Sequence, residues 1–191
     1  MKENRVLGYA LTAILPAICS IALGVLLFRE NVFNRAGVGF QFISLGTIGG
    51  IVYASLLYLP KLPSILIAIL LLVLDEVLLH SYRLTYPWED VLYFLGLCVV
   101  LWLSAGYFHK RLRHVVLARM LIIGALTGIS YVIVTVVLYV AIRLIPSMPA
   151  FNLTQMFYYD SAQGFLLGSS LGAGVELAES FLRRIARDKG V

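Results

Sequence analysis

Charged residues are scarce in this sequence, and that scarcity excludes most soluble folds. Of its 191 residues, 13% are charged and 61% are hydrophobic, and the mean hydropathy is +0.93. Soluble domains are typically about 25% charged and roughly 45–50% apolar. No polar stretch is long enough to form a second unit, and lipid tails would solvate the apolar surface directly. The composition therefore predicts one integral membrane domain over residues 1–191.

Cysteine and histidine are also scarce, and chemical motifs are missing. Cys19 and Cys98 both lie in apolar runs outside any CxxC pair, which argues against a disulfide framework. The three histidines lack the clustering of metal or haem ligands, so we expect no metal and no cofactor. We assign no catalytic residue, because the sequence has no HExxH, GxSxG or Walker A motif. Its basic residues lie beside apolar runs, so we expect no nucleic-acid binding.

The sequence contains six long apolar runs. Crossing a bilayer takes about 20 mostly apolar residues in a helix. Lipid permits only helices or closed barrels, and these runs are too long for strands. The pattern predicts an all-α polytopic membrane helical bundle of six transmembrane helices, over residues 6–28, 37–59, 62–80, 90–108, 115–145 and 157–182.

The distribution of basic residues predicts how this bundle is oriented. With the N-terminus inside, eleven of the fifteen Lys and Arg residues lie in cytoplasmic segments and four lie in outer segments. Cytoplasmic segments of membrane proteins carry the excess of Lys and Arg. We therefore predict that both ends are cytoplasmic (N-in and C-in), in a multi-pass protein of a bacterial or archaeal cytoplasmic membrane (the cell inner membrane).

Acidic residues within the third predicted span are the first candidate site. A charge near the bilayer centre costs about 2.5–3.5 kcal/mol on insertion scales, so Asp75 and Glu76 need a partner or water. Glu76, His80 and Arg83 share one face if the helix continues that far. Two interpretations stay open: an outward-opening ligand-binding or proton-coupled site formed by all four residues, or an interfacial patch in which Glu76 pairs with His80 or Arg83.

The sixth predicted span carries further acids. Asp160 falls near its start, where the helix dipole favours a negative charge. Glu176 lies one helical turn deeper in the membrane than Glu179. It is expected to pair with Arg119 or with a basic residue of the loop before the fifth span. Glu179 and Arg183 are four residues apart, in the favourable order for a helical ion pair.

Two features indicate contacts with other molecules. Gly164, Gly168 and Gly172 form a stripe at four-residue spacing, here called the glycine stripe. Such a stripe lets helices approach closely, either within the chain or at a docking face for another subunit. Residues 109–114, here called the basic loop, include Arg111 and Arg113. This loop predicts contact with anionic membrane lipids, and it is a candidate docking site for a cytoplasmic partner.

In size and topology, the predicted bundle resembles the small substrate-binding subunits of energy-coupling-factor vitamin transporters. The concentration of acids towards the outer side favours a membrane-embedded transport subunit that binds an unknown small molecule while a partner supplies energy, and the likeness agrees with it in size and topology. No motif accompanies it, so no residue role follows from it. Two alternatives stay open. One is a membrane enzyme acting on a lipid or lipid-linked substrate, with Asp75 or Glu76 as general base. The other is a non-catalytic assembly subunit that docks through the glycine stripe.

Overall fold

A computed structural model describes residues 2–27, 38–80, 87–108, 116–143 and 153–188. They form an all-helical structure of six helices: α1 (Lys2–Leu27), α2 (Val38–Tyr58), α3 (Lys61–His80), α4 (Pro87–Leu103), α5 (Val116–Arg143) and α6 (Leu153–Asp188). A π-helical turn, Ser104–Phe108, extends α4. The six helices overlap the six predicted ones.

Three of the helices are long and apolar enough to cross a membrane. Within the described residues, these stretches are Arg5–Leu27 in α1, Leu117–Val140 in α5 and Asp160–Arg187 in α6. The other three helices contribute shorter apolar stretches, Phe42–Tyr58, Lys61–Leu74 and Val91–Tyr107. The structure thus supports the predicted helical class and apolar character, while six crossings and their orientation stay predictions.

Neighbouring helices run antiparallel, and their contacts define the bundle. The closest packing joins α5 to α6, and α1 packs against both α2 and α6. α4 packs against α5 and α2, and α3 packs against α2 and α4. Large apolar side chains of α2, α4 and α6 fill the centre, among them Phe42, Phe94, Leu97, Leu167 and Leu171.

The described outer surface of the bundle carries many large apolar side chains. α3 alone exposes seven large aliphatic side chains: Leu62, Ile65, Leu66, Ile69, Leu70, Val73 and Leu74. Monomeric soluble proteins rarely expose apolar patches larger than a few hundred Å². In water such a face would favour aggregation. In lipid its exposure carries no free-energy penalty, because the surrounding acyl chains are equally apolar.

The glycine stripe lies against α5 of the same chain. A Cβ atom at Gly168 would come within 2.6 Å of the Ile123 carbonyl oxygen, and one at Gly172 within 2.9 Å of the Met120 Cα atom. At Gly164 the nearest backbone atom would be the Thr127 carbonyl oxygen, at 2.9 Å. Only glycine lets α5 and α6 approach this closely, so helix packing within the chain occupies the stripe.

The antiparallel order places the polar side chains at two ends of the bundle. One end combines the start of α1 with the ends of α2 and α6 and the start of α5. The opposite end combines the last turns of α3 with the starts of α4 and α6 and the end of α5. The described ion pairs and carboxyl contacts lie towards the two ends, whereas the buried polar groups between them include the hydroxyl groups of Ser20 and Ser170.

Candidate functional site

The first polar group is an ion-pair cluster of Arg119, Glu176, Glu179 and Arg183. Nε of Arg119 lies 2.9 Å from Oε1 of Glu176, and its Nη1 donates a hydrogen bond of 2.7 Å to Oε1 of Glu179. Arg183 adds a longer contact of 4.0 Å to the second oxygen of Glu176. The predicted pairing of Glu176 with Arg119 is confirmed, while Glu179, expected to pair with Arg183, binds Arg119.

Burial makes this cluster energetically important. The side chain of Arg119 is 1% exposed, that of Glu176 is 4% exposed and that of Glu179 is 15% exposed. Tyr53 of α2 is buried nearby and interacts electrostatically with all three. A buried charge of this kind persists only with an opposite charge beside it.

The position of Arg119 in its helix explains why it binds two acids. It lies in the first turn of α5, where the helix dipole disfavours a positive charge. Two carboxylates from α6 contact the guanidinium group and outweigh its unfavourable interaction with the helix dipole. Arg183 supplies the second positive charge of the cluster. Among the described side chains the cluster pairs two positive with two negative charges, and its contacts between Arg119 and the two glutamates join α5 to α6.

The second polar group lies at the opposite end, and the side chains that the structure describes there pair its acid with hydroxyl groups. Oδ2 of Asp160 lies 2.6 Å from Oγ1 of Thr135 and 2.9 Å from the hydroxyl of Tyr93. The two hydroxyl oxygens are 3.1 Å apart. We call these three residues the carboxyl–hydroxyl cluster. It joins α4, α5 and α6 through side chains that are 25 and 67 positions from Asp160 in the sequence.

Aromatic and amide groups surround this cluster. The ring of Tyr131 packs against that of Tyr93, with centroids 4.8 Å apart. Gln163, one turn along α6 from Asp160, is buried. Asp160 itself is half-buried.

The structure corrects the interpretation of Asp160 as an acid at a helix start. α6 begins at Leu153, so Asp160 lies in the second turn of the helix. The effect of a helix dipole falls off within the first turn. Asp160 is instead held by hydroxyl groups of two other helices. Sequence reasoning missed Tyr93 and Thr135, and no motif in the sequence singles them out.

Several predicted site residues lie outside the described part of the structure. This applies to the side chains of Asp75, Glu76 and His80, whose backbones end α3, and to the whole of Arg83. Arg111 and Arg113, in the basic loop, also lie outside it. The last turns of α3 nevertheless lie at the same end of the bundle as Asp160.

An apolar groove accompanies the carboxyl–hydroxyl cluster at its end of the bundle. The groove has a volume of about 650 Å³ and runs between α5 and α6, with Ile129, Val132, Phe157, Tyr158 and Phe165 among its lining residues. Asp160 does not line it. Its apolar walls suit lipid chains, whereas the polar contacts at this end come from the cluster.

Comparison with known proteins gives no relative. No protein family, curated protein or solved structure matches the chain.

Proposed function

We propose that this chain is a multi-pass membrane protein whose six helices all cross the membrane, with both ends in the cytoplasm. The exposed aliphatic face of α3 and the three long apolar helices support a membrane setting. The excess of Lys and Arg in the inner segments supports the orientation. In that orientation the ion-pair cluster lies towards the cytoplasm and Asp160 towards the outside, in a bacterial or archaeal cytoplasmic membrane.

We further propose that it is the small-molecule-binding subunit of a transport system. The observation that carries this proposal is Asp160, an acid in a mostly apolar helix held by hydroxyl groups alone among the described side chains. An ionisable group in a membrane helix is expensive and usually marks a pathway for a solute or a proton. We propose that Asp75, Glu76, His80 and Arg83 complete this polar site, which opens outward.

The energy for transport would come from a partner on the cytoplasmic side, because no ATP-binding motif is present. The basic loop, with Arg111 and Arg113, is the surface that we assign to this contact. The glycine stripe is less suited to it, since α5 already covers Gly164, Gly168 and Gly172.

Native mass spectrometry of the protein, extracted gently from its own membrane, tests the transport proposal. We expect a co-purifying small molecule that is lost in Asp160→Asn and in Glu76→Ala. The control is Arg187→Gln, which removes an exposed charge from the other end of α6 and should retain the molecule.

Two outcomes would contradict the proposal. A small molecule that stays bound in both acid variants would place binding elsewhere. A protein that carries no small molecule but remains attached to another protein chain would favour an assembly subunit, in which the acids serve folding.

A further inference from the structure

A cavity lies between α3 and the two helices behind it, and it is here called the α3 slot. It has a volume of about 230 Å³, and residues of α2, α3 and α4 line it. Val52, Ser64 and Phe94 in its lining are buried, whereas Ile65 and Trp102 are 53% and 59% exposed. The α3 slot therefore runs from the apolar outer surface of the bundle to its core.

The α3 slot is long and lies parallel to the helices. α3 lines it from Ser64 to Leu72 and α4 lines it from Phe94 to Trp102, which is about 12 Å along each helix at about 1.5 Å per residue. A volume of about 230 Å³ over that length leaves a cross-section of about 19 Å², or a tube about 5 Å wide. Carbon atoms in contact lie about 3.5–4.0 Å apart, so a tube of this width takes one hydrocarbon chain and has no room for a second.

The walls of the α3 slot offer little to a polar ligand. Among its lining residues, three side chains carry a polar group, those of Ser64, Cys98 and Trp102. The hydroxyl group of Ser64 already donates a hydrogen bond of 2.8 Å to the carbonyl oxygen of Ser55. The thiol group of Cys98 is a weak donor, and Trp102 stands at the mouth. Because a buried water molecule needs about two to four polar partners, the interior of the α3 slot favours hydrocarbon.

A cation lies one helical turn beyond one end of the α3 slot. Lys61, the first residue of α3, is exposed. It precedes Ser64 by three positions and Ile65 by four, so the three residues share one face of the helix. In the proposed orientation this end is cytoplasmic. The α3 slot extends about 12 Å from it, which is close to the roughly 15 Å that one leaflet contributes to the hydrocarbon core. Lysine side chains at that surface attract anionic lipid headgroups.

We propose that the α3 slot binds one acyl chain of an anionic phospholipid from the cytoplasmic leaflet, with the phosphate group beside Lys61. The chain fills the gap between α3 and the helices behind it, and the carbon contacts that it gains there hold it in place. The proposal rests on the proposed function only for the crossing and orientation of α3 and α4, and it requires no transported solute.

Quenching of tryptophan fluorescence by brominated lipid tests this site. The chain has two tryptophans, so a Trp88→Phe parent leaves Trp102, at the mouth of the α3 slot, as the reporter. The full chain is placed in phosphatidylcholine vesicles with increasing amounts of phosphatidylglycerol that carries a dibromostearoyl chain. One lysine beside the headgroup predicts a preference of about fivefold for the anionic lipid. We therefore expect half of the maximal quenching at a mole fraction of about one sixth, whereas contact without preference gives it at about one half.

Variants of α3 distinguish the α3 slot from the lipid surface around it. Ala68→Phe places a ring inside the α3 slot, so quenching should become proportional to the fraction of brominated lipid. Ala68→Leu serves as a second variant if Ala68→Phe does not fold. Leu66→Phe is the matched control, because Leu66 is 57% exposed on the same helix, and it should behave like the parent. Lys61→Gln should move half-maximal quenching to a mole fraction of about one half.

The proposal is overturned if both Ala68 variants keep the preference of the parent, since the anionic lipid would then bind only at the surface. It is also overturned if Lys61→Gln keeps that preference, or if free dibromostearic acid saturates the quenching while phosphatidylglycerol does not. Absence of quenching by any brominated lipid would overturn it together with the proposed crossing of α4. The predicted preference in a protein without a co-purifying solute would support the α3 slot and contradict the transport proposal alone.

Discussion

Removing the guanidinium group of Arg119 is the perturbation with the largest expected effect on stability. Arg119→Met keeps most of the side-chain length but leaves Glu176 and Glu179 buried without their cation. Arg119 is 1% exposed and contacts the two carboxylates at 2.9 and 2.7 Å. Breaking a buried ion pair by removing one partner costs about 3–5 kcal/mol. The equilibrium constant for unfolding should therefore rise by roughly two to three and a half orders of magnitude.

Reversible unfolding in mixed micelles, with increasing dodecyl sulfate and far-ultraviolet circular dichroism as the signal, measures this loss. Arg184→Met is the matched control, because Arg184 is exposed on α6, and its effect should stay within about 0.5 kcal/mol. Replacing both glutamates by glutamine in the Arg119→Met background should restore much of the stability, since neither buried carboxylate then remains and Arg183, the remaining charge of the cluster, is exposed. The reasoning would be refuted if the free energy of unfolding fell by less than about 1 kcal/mol in the single variant, or if the triple variant recovered none of it.

Two further predictions concern helix packing and use the same unfolding assay. Gly168→Ala should cost about 1–3 kcal/mol, because its Cβ would press on the α5 backbone. Gly106→Ala should be neutral or stabilising by up to about 1 kcal/mol, since nothing lies within 4 Å of the added atom and Ala has the higher helix propensity. Equal effects at the two glycines would contradict the close approach of α5 and α6. Ser20 and Ser170 share a buried hydrogen bond of 2.8 Å between α1 and α6, so a double-mutant cycle with alanine should give a coupling energy of about 0.6 kcal/mol. A coupling energy indistinguishable from zero would contradict the hydrogen bond between Ser20 and Ser170.

The helices were predictable because long apolar runs mark them in the sequence. Their ends were less predictable, as α6 shows. Hydropathy falls where a helix leaves the membrane, whereas the helix itself continues for as long as its backbone hydrogen bonds do. Leu153–Asp188 therefore extends beyond the predicted 157–182 at both ends. This difference changed the interpretation of Asp160 from a residue near a helix start to a partner of other helices.

The two polar clusters differ in how far the sequence could reveal them. Glu176 demanded a cation, and most Lys and Arg residues are predicted at its end of the bundle, so Arg119 was one of several expected partners. Asp160 is held by Tyr93 and Thr135, which are ordinary residues of apolar helices. Their meeting depends on the rotation and register of α4, α5 and α6 against one another, and side-chain packing decides those rather than any local pattern.

The four-residue glycine spacing predicted close helix packing, and the close approach of α6 to α5 follows from it. The spacing could not say which helix would be the neighbour, because any helix with a complementary surface fits such a stripe. α5 supplies that surface with Gly128 and with the backbone of its own middle turns.

The central claim is that the Asp160 end of the bundle faces outward, and thiol labelling tests it most directly. A background with Cys19→Ala and Cys98→Ala carries one new cysteine at a time, Ser147→Cys in the predicted outer segment or Lys189→Cys in the predicted cytoplasmic tail. A membrane-impermeant maleimide added to intact cells should label the cysteine at position 147, and the one at 189 only after the membrane is opened. Labelling at position 189 in intact cells, with none at 147, would contradict the orientation and with it an outward-facing site.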